Sequence, residues 1–279
     1  VSLLWPHYMR TIPSLAIVEL KPDYRQLKQV EIVPRGFSVL SQPVGQKHTC
    51  CQYQVTRDMP LMPINVSQAK LHTETDGRST VRLRFDCGPL ADWQKIDLSR
   101  VAIYLDADSP VSSALHLALT RKVQAMYIRQ PELGQDRRAI DGWFKPMGFE
   151  ENERLWPKGS SAFSGYQLLL EYFTFRPKFM FVELNGLQNV HLVPGTTWFE
   201  LDIVLSELWS YDLPFDTDTF RLHCVPVINL FSLEADPLQI DPLANEYLLR
   251  PLRMQDGHVE IYSVDQVHGS VKNGKHDYV

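Results

Sequence analysis

No run of about twenty apolar residues occurs in the 279-residue sequence, so no segment is long and greasy enough to span a bilayer as a helix. Nothing in it reads as a signal peptide either. Cysteine is sparse: Cys50, Cys51, Cys87 and Cys224 are too few for a disulfide framework in a chain this long. None of the four forms a CxxC pair, which speaks against a zinc ribbon or a thioredoxin-type site. Cys50 and Cys51 are neighbours and on a strand would face opposite ways, so free thiols in a reducing compartment are the expectation. There is also no basic surplus. Lys and Arg number 28 against 33 acids, a net charge of −5, and phosphate backbones require a basic stripe. The densest basic pair, Arg137-Arg138, sits between Asp136 and Asp141 and reads as a solvated loop.

The signatures of familiar chemistry are missing as well. The nine histidines include no HExxH or HxH pair, and there is no GxSxG, GxxxxGK[ST] or GxGxxG. Lys158-Gly159-Ser160 is a fragment of a phosphate loop without its first glycine or a preceding strand.

What is present is a soluble composition, 44% hydrophobic and 22% charged, with 19 prolines outnumbering 14 glycines. Short apolar runs divided by stiff turns predict an α+β, mainly β, protein. Leu15–Leu20, the alternation around Val30 and Ile32, Thr49–Val55, Leu61–Leu71 and Thr80–Phe85 read as strands. Pro34-Arg35-Gly36 forms a compact turn, and Asp76-Gly77 the tip of a hairpin. The apolar strand Val101–Leu105 leads into Ser109-Pro110, an N-cap followed by a proline suited to the first helical turn. Helical spacing then runs to Met126, predicting a helix over about 110–126. A second helix is expected over about 161–174. It is apolar around most of its girth and so should be deeply buried. Later strands are expected at Phe179–Leu184, Thr197–Leu205, Phe220–Phe231, Glu246–Arg250 and Val259–Val264. The organisation predicted is two β-rich lobes, residues 1–135 and 161–279, joined by a Gly-, Pro- and charge-rich segment at 136–160. The abrupt apolar start, Val1 followed by Leu3-Leu4-Trp5, suggests an internal stretch of a longer protein.

Two places invite a chemical reading. Asp106 and Asp108 end an apolar strand, and carboxylates at i and i+2 hold divalent metals in nucleotide-sugar glycosyltransferases. Beside a helix N-terminus, however, negative charge is favoured for structural reasons alone, and the upstream sequence shows β structure where a nucleotide-binding α/β unit would be needed. Glu171 lies in the apolar Leu168-Leu169-Leu170-Glu171-Tyr172-Phe173, where an ionised acid is costly unless paired. A raised-pKa catalytic acid is one reading. Pairing with Arg176 or Lys178, or a position on an assembly interface, is the more ordinary one. A β-sandwich carbohydrate-binding module is the remaining alternative, which would need exposed coplanar aromatics.

Seven phrases occur in a recognisable order. Pro6-His7-Tyr8-Met9-Arg10-Thr11-Ile12-Pro13-Ser14 resembles a PHYxRPxPS segment, with Thr11 at a usual proline. Pro34-Arg35-Gly36 resembles a PRG turn, and Gly165-Tyr166-Gln167-Leu168-Leu169-Leu170-Glu171-Tyr172-Phe173 a GYxLLxEYF helix. Pro177-Lys178-Phe179-Met180-Phe181 resembles PxKFxFF, and Cys224-Val225-Pro226-Val227-Ile228-Asn229-Leu230-Phe231 resembles CxPVxNLF. Ala235-Asp236-Pro237-Leu238 with Glu246-Tyr247 follows, and Glu260-Ile261-Tyr262-Ser263-Val264-Asp265 closes the series. In that order they are similar to the TssF family of the type VI secretion system.

The resemblance implies a non-catalytic wedge subunit of a phage-tail-like baseplate, without cofactor or metal. It implies contacts with TssG, TssK, TssE, the spike hub and a second copy of the chain, and none with nucleic acid or by membrane insertion. It further implies assembly in the cytoplasm of a Gram-negative bacterium, at the inner face of the cytoplasmic membrane. The family's N-terminal helical region and C-terminal part have no counterpart in this stretch. Structural or interface candidates by the same resemblance are Pro6, His7, Tyr8, Arg35, Gly36, Gly165, Tyr166, Glu171, Tyr172, Phe173, Asn229, Phe231 and Tyr262, with Trp5 beside Tyr8 as a possible anchor.

Overall fold

The computed structural model describes residues 11–24, 26–131, 136–156, 164–190, 192, 195–239, 243, 245–252, 259–271 and 274–278. Trp5, Pro6, His7, Tyr8, the Lys158-Gly159-Ser160 fragment and the expected first turn of the second helix, 161–163, lie outside the described residues.

The described residues are mainly β with two α-helices. It begins with β1 (Leu15–Glu19), β2 (Glu31–Val33), β3 (Ser38–Leu40), β4 (Gln52–Val55) and β5 (Met59–Leu61). The long hairpin β6 (Ile64–Thr73) and β7 (Ser79–Cys87) is followed by β8 (Arg100–Leu105), α1 (Ser109–Arg121) and β9 (Val123–Arg129). Next come β10 (Arg138–Ile140), β11 (Trp143–Pro146), α2 (Ser164–Thr174), β12 (Phe181–Asn185) and β13 (Trp198–Leu205). The last strands are β14 (Phe220–Arg221), β15 (Cys224–Ile228), β16 (Val267–Val271) and β17 (Gly274–Tyr278).

All pairings among these strands are antiparallel, and three sheets dominate: β10-β9-β13-β7-β6, β11-β12-β8-β14 and β1-β15-β4-β3. The period-two pattern in β7 works as read. Val81, Leu83 and Phe85 are fully buried, while Arg82 and Arg84 point the other way. With Leu201 and Ile203 of β13 and Met126 and Ile128 of β9, they meet Ile103, Val182 and Leu184 of the second sheet in one core. Leu115, Ala118 and Leu119 of α1 pack into the same core. Each of these three sheets takes strands from before and after residues 136–160, and β10 and β11, within that segment, add one edge strand to each of the first two.

Several local expectations are corrected by this packing. The first helix ends at Arg121, and Met126, on the predicted helical face, belongs to β9 opposite Ile203. Pairing along β13 outweighs the local helical spacing there. The N-cap of α1 is Asp108, with Pro110 in the first turn. Ser109 instead accepts a hydrogen bond from Arg176 at 3.0 Å. Glu246–Arg250 and Val259–Val264 form no strand. The former belongs to a loop closed by an Ala235–Pro251 bridge, and the hairpin β16–β17 comes later. The first stretch meets a neighbour only at its end, where the Arg250 carbonyl accepts the Asp236 N–H at 2.8 Å, and a single bridge does not make a strand.

The outer face of the five-stranded sheet is a charge lattice. Asp202 on β13 is fully buried beneath Arg82, at 2.6 Å, and Arg129, at 3.1 Å. Arg137 stacks on Tyr127 and reaches the same carboxylate, and Arg138 opens β10, so the basic pair expected as a solvated loop belongs to this sheet. Burial alone would raise the Asp202 pKa, but the Arg82 hydrogen bond and the two guanidinium charges hold it below the usual carboxylate value.

Candidate functional site

The second helix is the main departure from the sequence reading. Its middle and end are rich in apolar and aromatic residues, yet its buried residues are the polar ones: Gln167 is 2% and Glu171 0% exposed. Spaced i and i+4, they lie on one face. On the opposite side Leu169 is 55% and Phe173 82% exposed, with Tyr166 and Tyr172 also exposed. The expectation of deep burial therefore fails, because the core side of α2 is specified by hydrogen bonds. Leu170 packs with Leu155, Trp156, Phe175 and Ile228 as a small apolar flank to that polar seam.

The seam is satisfied throughout. Glu171 Oε1 accepts the Leu155 N–H at 3.2 Å and the Gln167 side-chain N–H at 2.9 Å. Its Oε2 pairs with Lys178 Nζ, and Gln167 also donates to the Trp156 carbonyl at 2.9 Å. Burial pulls the Lys178 pKa below its ordinary value, and the Glu171 charge opposes that pull. A second buried pair, Arg57 with Glu153 at 3.0 Å, lies close enough that both of its charges act on Lys178. Glu153 completes its shell with the Gly148 and Glu150 N–H groups. Two cations and two anions thus share one low-dielectric region, where each would be costly alone.

Residues 153–156 organise these contacts. Glu153 holds Arg57, the Arg154 carbonyl accepts from Arg35 at 3.4 Å, the Leu155 N–H binds Glu171, and the Trp156 carbonyl binds Gln167. The Pro34-Arg35-Gly36 turn and α2, far apart in sequence, are brought to the same four-residue strip. Gly36 has φ +83°; the Phe37 N–H closes the turn on the Pro34 carbonyl at 3.1 Å, and the Gly36 N–H ties it to the Val55 carbonyl at 2.8 Å. Asn229 ties other elements together: its N–H reaches the Ser14 carbonyl at 2.9 Å and its side chain the Gln52 carbonyl at 2.7 Å. Gly165 is half-buried in the first turn of α2, while Phe231 and Tyr262 are half-buried in irregular segments after β15. Lys178 was legible as a partner for Glu171. Arg57, Glu153 and Gln167 carried no local signal, since their roles depend on segments that meet only in the fold.

The Asp106–Asp108 reading does not assemble. Asp106 forms an ion pair with Arg221 at 2.7 Å, and the same guanidinium holds Glu19 at 3.0 Å. Asp108 occupies the N-cap position of α1, where its backbone carbonyl accepts the Ser112 N–H at 2.9 Å and its side chain makes no capping hydrogen bond. Among the described residues no three His, Cys, Asp or Glu side chains cluster as a metal site. All four cysteines are free, and burial raises the Cys224 thiol to about 12. A groove of about 390 Å³ between the end of α1 and β9–β11 is lined by Arg121, Gln124, Asp141 and the half-exposed Trp143 among others. It holds no nucleophile set against a base. Among the described residues, no helix is long and apolar enough to cross a membrane.

The described residues thus form an antiparallel β scaffold with a hydrogen-bonded internal charge cluster and an outward apolar helix face. The sequence model for "Type VI secretion system, TssF" matches residues 1–279, and the chain belongs to that family. It is 27% identical over 285 residues to the type VI secretion system component TssF1 of Pseudomonas aeruginosa PAO1, covering 96% of this chain and 46% of that protein. A chain in the cryo-electron-microscopy structure of the TssK–TssF–TssG baseplate subcomplex is 58% identical, with a TM-score of 0.93 over 100% of this chain and 52% of that one. A chain of the type VI secretion baseplate complex is 54% identical, with a TM-score of 0.61 over 92% of this chain and 44% of that one. The chain spans about half the length of the relatives it matches.

Proposed function

We propose that this chain is a structural part of a type VI secretion baseplate wedge, the scaffold of a contractile, phage-tail-like injection machine. The observation that carries the reading is the match along the full chain, at 58% identity and a TM-score of 0.93, to a chain of a TssK–TssF–TssG subcomplex. The physical character of the molecule agrees with it. A part that transmits load between neighbours needs rigid sheets and rotationally fixed surface elements. The polar seam under α2 provides the second of these, because a helix held by directed hydrogen bonds cannot turn without breaking them. On this reading the partners are TssG and TssK, with TssE, the spike hub and a second copy of the chain completing the wedge. Assembly takes place in the cytoplasm, at the inner face of the cytoplasmic membrane, and the role is non-catalytic.

The test is co-expression of the full-length protein that carries this chain with TssG and TssK from the same genome. Co-elution of the three on size exclusion, with this chain resolved inside the particle by electron microscopy, is the expected result. Separate elution of the full-length protein under conditions where TssG and TssK are folded would overturn the reading.

A further inference from the structure

Burial in this chain stops at Ile228. Among the described residues after it none is buried, and Leu230, at the edge of the small cluster around Trp156, is the last to pack against a core. The stretch beyond is not short of apolar side chains. Leu233, Leu238, Leu248, Ile261, Val264 and Val267 are 43% to 72% exposed. Single exposed aliphatics are ordinary, but a succession of them with nothing buried between marks a surface that another surface covers. The stretch also holds β16–β17, a hairpin that pairs with no third strand among the described residues. Two strands by themselves are marginal in water. Its course nevertheless recurs: the chain of the TssK–TssF–TssG subcomplex follows this one over 100% of its length at a TM-score of 0.93, and this chain covers only 52% of it.

We propose that this stretch, through Leu248, Ile261, Val264 and Val267, is the seam on which the part of the full-length protein outside these 279 residues packs, and that the same part adds a strand to the β16–β17 hairpin. Length, charge and tethering select that occupant. The chain spans 46% and 52% of the relatives it matches, so about half of a full-length family member is there to cover the stretch. Residues 229–279 hold eight Asp and Glu against four Lys and Arg, which concentrates here most of the chain's net charge of −5. Two copies meeting by this stretch would set like charges against each other. A cover with Lys and Arg around an apolar centre fits it. A separate subunit must give up translational and rotational freedom to bind a stretch that has no core of its own. A segment of the same polypeptide does not, because the connection fixes its effective concentration. A third strand pairs one open edge of the hairpin and brings it to the size at which a small sheet holds.

The test uses the full-length protein, alone and together with TssG and TssK from the same genome. A photo-crosslinking residue in place of Leu248, and separately of Val264, gives an internal product of unchanged chain mass in both preparations. The linked peptide comes from outside the 279 residues. Amides of β16–β17 exchange with deuterium about tenfold or more slower than in an unstructured peptide of the same sequence. Leu248→Ser combined with Val264→Ser removes that protection and leaves the amides of β7 and β13 as they were. The control, Leu40→Ser on the exposed β3, changes neither. The proposal is overturned by an adduct of twice the chain mass, by an adduct with TssG or TssK in place of the internal one, by links confined to the 279 residues, or by no product. Exchange of β16–β17 at the unstructured rate, or protection that the double variant keeps, also overturns it. These readouts follow contacts inside one polypeptide, so a failure here is distinct from a failure to bind TssG and TssK.

Discussion

Glu171 and Lys178 form an ion pair in which both side chains are essentially removed from solvent, linking the last turns of α2 to the segment that enters β12. Breaking a buried pair by removing one partner costs about 3–5 kcal/mol, because the survivor is left charged and unpaired. Glu171→Gln and Lys178→Met should each destabilise by about that much. The combination should cost clearly less than their sum. Urea denaturation of the four proteins completes the cycle, and strictly additive losses would show that the pair is not coupled.

His223 gives the fold a defined acid sensitivity. It adopts φ +55°, its ring accepts the Met62 N–H at 3.1 Å, and only a neutral ring nitrogen can accept there. Burial pushes its pKa from 6.5 down to about 4. Between those values the unfolded imidazole takes up a proton that the folded one refuses, so stability falls as pH drops from 6.5 to 4 and levels off below. The loss amounts to about 3 kcal/mol. His223→Asn keeps a residue tolerant of positive φ and removes the titration. Its urea midpoint should fall less than that of the unmodified protein across this window. Parallel curves would rule out His223 as the source.

Two glycines with similar backbone angles should respond very differently to substitution. Gly186 has φ +96°, and a Cβ there would lie 2.3 Å from the Asp141 carbonyl oxygen at the corner joining β10 to β11. Gly36 has φ +83° with open space around it. Gly36→Ala should cost only the left-handed backbone penalty, about 1–2 kcal/mol. Gly186→Ala must also displace backbone, and about 4 kcal/mol or more, or failure to accumulate folded protein, is expected. Thermal midpoints compare the two, and equal shifts would mean that the Asp141 contact yields freely.

Much of this architecture was readable from local pattern. The alternation in Thr80–Phe85, the hairpin at Asp76-Gly77, the turn at Pro34-Arg35-Gly36 and the strand before Asp106 all follow from periods and turn chemistry that a few neighbouring residues determine. The ordered phrases pointed to the family for a similar reason, since each keeps its residues at fixed spacing along the chain.

What the sequence could not state is which neighbours distant segments would find. Met126 lies on a helical spacing, yet β13 claims it for a strand. Glu171 looked like an intruder in a greasy helix that had to be buried, and burial does hold for the acid while failing for the greasy face. Leu155, Trp156 and Lys178 arrive from two other stretches, and their hydrogen bonds to Glu171 and Gln167 outweigh the pull of Leu169 and Phe173 towards the interior. Sequence alone thus settled many of the strands, several turns and the family. The tertiary structure decided which way α2 faces, because that orientation is set by directional polar contacts between segments that no local pattern connects.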